Sequence, residues 1–570
     1  MSGSRPETSD IVAAFASRAN LELTPSEHAR LNEYVLDVWD MADRLRAVTP
    51  PGLEGAESAL PRRAAYANRE PSPSEAAALQ SWTAAKGTVR GSGESAAPES
   101  LELGLVEVAQ AYAAGTFTPL AFVRATLERL DRYDPTIRSS VTIDREGAMA
   151  AAQVLTQELS IAEGPRSLLH GVPIGAKDSI PAFGMPCTFN SPFMRRWMPK
   201  RDAEAVRRVR AAGAVMVAKH NLNEFGWSIP TEKDLTPPPR NPWLPEEYSV
   251  GSTSGGGAAV ASRFAVAALG TDGGGSIRLP AAQHLLFGLK PGHGRVPPQG
   301  VTEGRVSEVS ILARKAEDVA AVLAVLDIDP EAAVARDRLR REPRAHVDHV
   351  LSTPHDLRIV VPQGYVDDVA GEEDVLRLFG ATCDAIRTLG HSLDVLPKGE
   401  LAILHDAVRA NFVVIAAEHY FDHEETGKDR RHYGESAGFY NLPGACLTAA
   451  DYQHALRVGE MTRNAVDAVL QDADLLLTPT SPVTRSSTAR NPKTHRRGGN
   501  AAYTSPFNIT GHPAISFPVG LSAEGMPIGM QLVGRPGSEF ELIRAARALS
   551  ETFDLPPFPD LDEVVSFVQR

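Results

Sequence analysis

Cysteine is scarce in this chain of 570 residues, which contains only Cys187, Cys383 and Cys446. These residues lie far apart and form no CxxC pair, which argues against a disulfide-stapled secreted scaffold and a cysteine-rich zinc module. A basic excess is also missing, since 58 Lys and Arg against 71 Asp and Glu give a formal net charge of −13. We therefore expect no direct binding of nucleic acid or of an anionic membrane.

Long apolar runs are missing as well. The most hydrophobic stretch, residues 258–270, contains Arg263 and is shorter than the roughly 18 apolar residues of a membrane span. The polar start, MSGSRPETSD, lacks the apolar core of a signal peptide. At 43% hydrophobic residues, the chain has the composition of a folded globular protein. We therefore expect a cytoplasmic protein without a membrane anchor.

Three segments of the chain differ in composition. Residues 1–48 contain the helix-start signature TPSE at 24–27, followed by apolar residues at helical spacing, which predicts a small helical module. Residues 49–100 are rich in Pro, Gly, Ser and Ala, which is typical of a linker or an extended wrapping segment. In residues 101–570, helical patterns alternate with short apolar runs such as GVPIGAK and AVMVAK. This alternation predicts one α/β body with a mixed sheet.

The densest group of glycines and serines lies at residues 251–280, GSTSGGGAAVASRFAVAALGTDGGGSIRLP. A phosphate-binding loop is not supported, because no GxxxxGK[ST] occurs. A nucleophile elbow needs Gly two residues before and after the serine, which none of Ser252, Ser254 and Ser276 has. The remaining interpretation is that Ser276 is a nucleophile beside the backbone N–H groups of residues 273–276. It requires a proton acceptor from elsewhere in the chain.

This segment resembles the signature of the amidase signature family. The resemblance extends from residue 101 to about residue 561, and includes GVPIGAKDSI, KHNLNEFGWS and RNPW upstream of the serines. Downstream, DADLLLTPTSP, SPFNITGHPAISFPVG and GMPIGMQLVGRPGSE are similar to the C-terminal half of the family. The resemblance implies a central mixed, twisted β-sheet covered by helices on both faces. It makes 101–570 an amidase catalytic domain with a helical extension before it.

The resemblance also implies a Ser–cis-Ser–Lys triad, with Ser276 as nucleophile, Ser252 as bridging serine and Lys177 as base. Lys177 must be neutral to accept a proton, and burial among apolar groups favours the neutral form of a lysine. The bridging serine would relay the proton between the other two residues. The oxyanion hole would consist of the N–H groups of Gly273, Gly274, Gly275 and Ser276. No metal and no organic cofactor is implied.

The serine cluster departs from the family pattern at one point. The usual cluster is G-S-S-G-G-S, whereas this chain has GSTSGG, with Thr253 in place of the second hydroxyl. A shift of the alignment by one or two residues would make Ser254 the bridging serine, although it would require a gap, and we favour Ser252. We expect Thr253 and Ser254 to support the site. Asp272 and Arg278 are expected to form a structural charged pair that rigidifies the glycine turn.

The sequence leads us to expect an amidohydrolase that cleaves a small-molecule carboxamide to an acid and ammonia or an amine. Residues 10–45 resemble the small C subunit of the tRNA-dependent amidotransferase and the small subunits of carboxybiuret-type hydrolases. The alternatives are therefore the glutaminase-type component of such an amidotransferase, or a hydrolase of carboxybiuret or urea-like amides. A homodimer is expected from the family. For the substrate pocket, the resemblance suggests four candidates, Glu418, His419, Tyr420 and Tyr440.

Overall fold

The computed structural model describes residues 12–13, 25–48, 98–161, 165–232, 234–301, 304–327, 352, 354, 356–425, 433–434, 437, 442–485 and 499–570. The predicted linker, residues 49–100, lies outside this part of the chain except for 98–100. The same is true of most of the first half of the predicted helical module, residues 1–48.

The helices follow the periodic segments of the sequence. Three helical patterns of the sequence, at residues 104–115, 119–133 and 145–160, correspond to α2, α3 and α4 in the series given below. None of the described helices is long and apolar enough to cross a bilayer. The helices are α1 (Pro25–Ala47), α2 (Leu105–Ala113), α3 (Pro119–Ile137), α4 (Arg145–Ile161), α5 (Glu204–Ala211), α6 (Ser254–Ala261), α7 (Arg278–Gln283), α8 (Ala316–Leu326), α9 (Gln363–Val369), α10 (Glu373–Thr388), α11 (Leu404–Glu425), α12 (Ala449–Asp472), α13 (Pro506–Ile509), α14 (Glu539–Ser550) and α15 (Leu561–Gln569).

The strands are mostly short and buried. Those at the centre of the sheet, such as β2 and β6, are buried along their whole length, which is why they read as apolar runs without alternation. The strands are β1 (Ser140–Ile143), β2 (Pro173–Lys177), β3 (Val215–His220), β4 (Arg240–Asn241), β5 (Leu244–Tyr248), β6 (Ala267–Asp272), β7 (Phe287–Lys290), β8 (Glu308–Ala313), β9 (Arg358–Val361), β10 (Ser392–Val395), β11 (Leu475–Pro479), β12 (Ala514–Leu521) and β13 (Pro527–Gly534).

The described residues build one 11-stranded sheet, in the order β1-β3-β2-β6-β8-β7-β12-β13-β11-β9-β10, and a small hairpin of β4 and β5. The sheet is mixed: β2 pairs in parallel with β3 and β6, and β9 with β10 and β11, whereas β6–β8 and β12–β13 are antiparallel. Helices flank the sheet. The predicted α/β fold with a central mixed sheet is confirmed.

The N-terminal helix α1 packs on α11 and α12. Leu45 is completely buried in a cluster with apolar residues of both helices, including Ala410 and Val458. Two polar contacts fix the helix: the Trp39 indole N–H donates to the Cys446 carbonyl at 3.0 Å, and Arg46 pairs with Asp451. The predicted amphipathic helix therefore uses its apolar face to dock on the α/β body of its own chain.

We predict that Leu45→Ala weakens this docking by about 2–4 kcal/mol, because it leaves a cavity in a fully buried cluster. The amide hydrogens of residues 25–47 should then exchange about 30- to 1,000-fold faster, as measured by hydrogen exchange with mass spectrometry. The control is Leu36→Ala on the exposed face of the same helix, where the side chain is 51% exposed. Equal acceleration in the two variants would contradict the docking described above.

Candidate active site

Lys177 lies at the end of a buried parallel strand. β2 and β6 pair in parallel with Ala176 opposite Leu269, so Lys177 and Thr271 leave the sheet at the same edge. The carboxyl ends of parallel strands are where side chains from neighbouring strands and the loops after them converge. The loop after β6 is the one that carries the predicted nucleophile.

The Lys177 amino group contacts two hydroxyl groups. Its Nζ atom lies 2.9 Å from Ser252 Oγ and 2.6 Å from Thr271 Oγ1, and its side chain has no exposed surface. The structure therefore places two predicted site residues, Lys177 and Ser252, in direct contact. Thr271 was not among the predicted residues. The only sequence feature that points to Thr271 is its place at the end of an apolar run, β6. That strand pairs in parallel with GVPIGAK and brings Thr271 next to the lysine.

The two serines that competed for the bridging role occupy different places. The peptide bond between Gly251 and Ser252 is cis, and Ser252 faces Lys177. Ser254 begins α6, and its buried Oγ has no hydrogen-bond partner among the described residues. A side chain at Gly251 would collide with the Asn223 carboxamide, which explains the glycine before the serine pair.

The glycine loop, residues 273–276, turns directly after β6. The carbonyl of Ser276 accepts a hydrogen bond from the Thr253 N–H at 3.2 Å, so the predicted nucleophile lies beside the chain that follows Ser252. The Gly275 N–H donates to Asp272 Oδ1 at 2.7 Å. The N–H groups of Gly273, Gly274 and Ser276 donate to no acceptor in the part of the chain that the structure describes.

Two side chains from distant segments hold the carbonyl groups of this loop. Asn411 on α11 donates to the Gly273 carbonyl at 2.9 Å, and the Thr504 hydroxyl donates to the Gly274 carbonyl at 2.7 Å. With the carbonyls fixed in this way, the loop amides are fixed as well, because each peptide unit is planar. Neither Asn411 nor Thr504 is predicted by the sequence motifs.

Asp272 and Arg278 form a buried ion pair below the glycine loop. Both side chains have no exposed surface, and Nε and Nη2 of Arg278 lie 2.9 and 2.8 Å from the two carboxylate oxygens. Burial alone would raise the pKa of Asp272, but the charge of Arg278 and its hydrogen bonds hold that pKa below the ordinary carboxyl value. Asn508 completes the pair, donating to Asp272 Oδ1 at 2.9 Å and accepting from Arg278 at 2.6 Å.

The carboxylate of Asp178, the residue after Lys177, belongs to a second buried pair. Lys219 lies 3.1 Å from its Oδ1 atom, and the Thr188 N–H donates to its other oxygen at 2.9 Å. Both charged side chains are fully buried. The lysine motif and the motif at 219–228 are thus joined by this pair.

Glu224 in the 219–228 motif is a buried acid outside the predicted site. Burial raises the pKa of its carboxyl group to about 7, although hydrogen bonds from the Gly434 N–H and from Ser191 oppose the shift. The carboxyl group therefore changes its protonation state close to neutral pH.

Three of the four residues suggested for the substrate pocket fall within the described part of the chain. Glu418, His419 and Tyr420 lie half-buried on α11, whereas Tyr440 lies outside the described residues. Glu418 accepts hydrogen bonds from the Arg305 N–H and from a tyrosine hydroxyl, at 2.6 and 2.8 Å. His419 stacks on an indole ring, that of the tryptophan in the 219–228 motif, at 5.6 Å between ring centroids.

Comparison with known proteins extends the similarity over most of the chain. A family model described as Amidase matches residues 121–543. The A subunit of the glutamyl-tRNA(Gln) amidotransferase of Roseiflexus sp. (strain RS-1) is 33% identical over 494 residues, which cover 80% of this chain and 97% of that protein. Among solved structures, an amidase matches with a TM-score of 0.69 at 26% identity, covering 79% of this chain and 100% of that chain. A chain of a vestigial protein complex, one that reveals the evolutionary origins of an s-triazine catabolic enzyme, also matches with a TM-score of 0.69, at 26% identity, over 79% of this chain and 98% of its own.

We predict that Asp272→Asn lowers the free energy of unfolding at pH 7 by about 3–5 kcal/mol, because it leaves the Arg278 charge buried without its partner. The folded-state pKa of Asp272 is lowered, so its stabilisation is fully present above the unfolded-state pKa of about 3.9. It is lost as the pH falls from there toward the folded-state pKa, so the gap between wild type and variant should narrow below about pH 4. Urea unfolding at several pH values measures this gap.

The matched control is Asp384→Asn, which removes an i,i+3 pair with Arg387 on the surface of α10. An exposed pair of this kind contributes little, so the stability of this variant should stay close to that of the wild type. If Asp272→Asn behaved like Asp384→Asn, the buried pair would not be the element that holds the glycine loop.

Proposed function

The chain belongs to the amidase family, and from this membership and the geometry around Lys177 we propose that it hydrolyses a carboxamide through a seryl acyl-enzyme. The observation that carries the proposal is the contact of 2.9 Å between Lys177 Nζ and Ser252 Oγ, in a site with no exposed lysine surface. A lysine that is buried against hydroxyl groups at the ends of two parallel strands is suited to act as a proton acceptor.

Ser276 is the proposed nucleophile. Neutral Lys177 accepts a proton from Ser252, and Ser252 accepts one from Ser276 as Ser276 attacks the amide carbonyl. The same relay, run in reverse, delivers the proton to the leaving nitrogen, and the C–N bond breaks to give an acyl-enzyme and ammonia or an amine. A water molecule then attacks the ester carbonyl and gives one proton through Ser252 to Lys177, and this proton passes back through Ser252 to Ser276 Oγ as the acid leaves. Thr271 holds the Lys177 amine in line with Ser252.

The oxyanion hole is proposed to consist of the N–H groups of Gly273, Gly274 and Ser276. The Gly275 N–H, which the family resemblance would include, donates to Asp272 and is therefore assigned to holding the loop. Each well-placed donor contributes about 10²–10³ in rate, because it meets negative charge that develops only in the transition state.

We predict that Ser276→Ala and Ser252→Ala each lower kcat by at least about 10³-fold, because each removes a member of the proton relay. The matched control is Ser254→Ala, which removes a buried hydroxyl without a hydrogen-bond partner among the described residues, and we expect it to keep most of the activity. The measurement is ammonia release from a panel of small carboxamides. Loss of activity in Ser254→Ala with retention in Ser252→Ala would transfer the bridging role to Ser254.

A glutaminase-type role in a tRNA-dependent amidotransferase is the second candidate, and it is favoured by the identity of 33% to a protein that carries the name of such an enzyme. The third candidate is a hydrolase of urea-like amides, which would use the same chemistry. It is favoured by the similarity to a chain of the complex that reveals the origins of an s-triazine catabolic enzyme. The docking of α1 on the body of its own chain favours a self-sufficient hydrolase. We propose that the protein is a homodimer in the cytoplasm and that its substrates are linear amides.

We predict that the purified chain releases ammonia from simple amides without any partner. The test compares ammonia release from glutamine, simple amides and biuret-like compounds, with and without tRNA and a tRNA-binding partner protein. Activity on simple amides that is unchanged by the partner supports the free-standing hydrolase. Glutamine hydrolysis that appears only with the partner would assign the chain to the amidotransferase role.

A further inference from the structure

Three half-buried rings form a continuous surface beside the glycine loop. We call this surface, Trp227, Phe412 and His419, the aromatic wall. The ring centroids of Trp227 and Phe412 lie 5.8 Å apart at 48°, and those of Trp227 and His419 lie 5.6 Å apart at 23°. Each of the three residues keeps part of its surface exposed.

The aromatic wall begins at the turn that carries Ser276. Phe412 packs against Val250 and Leu279, which lie two residues before Ser252 and three residues after Ser276. The preceding residue on α11, Asn411, donates to the Gly273 carbonyl. The wall is therefore held to the loop by an apolar contact and by a hydrogen bond.

The helix α11 extends the wall away from the loop. Asn411, Ile415 and His419 are four residues apart and so share one face of the helix. The Ile415 Cδ1 atom lies 4.0 Å from the position that a Cβ atom would take at Gly274. This face thus runs from the proposed oxyanion hole through an apolar side chain to the stacked rings of His419 and Trp227.

The carboxylate of Glu418, the residue before His419, is already engaged, since it accepts hydrogen bonds from the Arg305 N–H and from the Tyr452 hydroxyl. A zwitterionic substrate such as glutamine needs charged partners for its ammonium and carboxylate groups. Flat ring surfaces instead favour a flat, apolar group, which they bind by burial and by offset or edge-to-face packing.

From this arrangement we propose that the substrate is a carboxamide whose acyl group carries an aromatic ring, and that this ring binds against Trp227 and Phe412. The inference rests on the proposed amidohydrolase function and assigns its substrate class. We assign the aromatic ring to the acyl group rather than to the leaving group because the acyl group stays bonded to Ser276 in the acyl-enzyme. The aromatic wall is packed against the turn that carries Ser276.

The experiment compares kcat/KM for three amides: phenylacetamide, isobutyramide, and the anilide of isobutyric acid, which carries its ring on the leaving group. We expect phenylacetamide to exceed each of the other two by about tenfold or more, because only its ring reaches the wall as part of the acyl group. Trp227→Ala should lower kcat/KM for phenylacetamide by about tenfold and that for isobutyramide by less than about threefold. Trp227→Phe should restore most of the loss.

Phe567→Ala serves as the control, since this phenyl ring is 52% exposed on α15 and makes no part of the wall. It should leave all three substrates unchanged. Preference for the anilide, or equal losses on phenylacetamide and isobutyramide in Trp227→Ala, would overturn the assignment of the aryl acyl group while leaving the amidohydrolase intact. If no amide is hydrolysed by the wild type, the proposed function itself fails, which is a separate result.

Discussion

The buried pair of Asp272 and Arg278 is the constraint on which the site depends. Two charges without any exposed surface are tolerated only when their hydrogen-bonding groups are satisfied, and here neighbouring segments supply the partners. The Gly275 N–H, Asn508 and Gln531 contact the pair, and so connect the turn after β6 to α13 and β13. The glycine loop gains a fixed geometry in this way, although its three glycines have no side chains to pack.

The other half of the site is positioned by the sheet. Lys177 ends β2 and Thr271 lies near the end of β6, and the parallel register brings the two residues side by side. The turn that carries the proposed nucleophile and the lysine proposed as base are thus held by two paired strands rather than by loops alone, as the proposed proton relay requires. The remaining partner, Ser252, enters from the segment that begins α6.

The sequence was sufficient for the parts of the site that local motifs encode. Dense glycines, the strand GVPIGAK and the serine cluster led to Lys177 and Ser252, which the structure places in contact, and the alternation of patterns led to the mixed sheet. Contacts made by side chains far away in sequence could not be read in this way. Asn411 lies 138 positions from Gly273, whose carbonyl it binds, and Asn508 lies 236 positions from Asp272, so the local pattern of neither segment identifies its partner. The hydrogen bond from the Gly275 N–H to Asp272 could not be predicted either, because it depends on the backbone geometry of the turn.

The docking of α1 has a consequence for how the protein behaves at low concentration. Because α1 and its receptor helices α11 and α12 belong to one chain, their association is unimolecular and depends on an effective concentration that covalent connection sets. A separate small protein in the place of α1 would dissociate when diluted below its Kd, and its stoichiometry would depend on expression. In this chain the fraction of molecules with the helix in place is the same at nanomolar and at millimolar protein. The back of the helix that carries Asn411 and the aromatic wall is thus covered in every copy to the same extent.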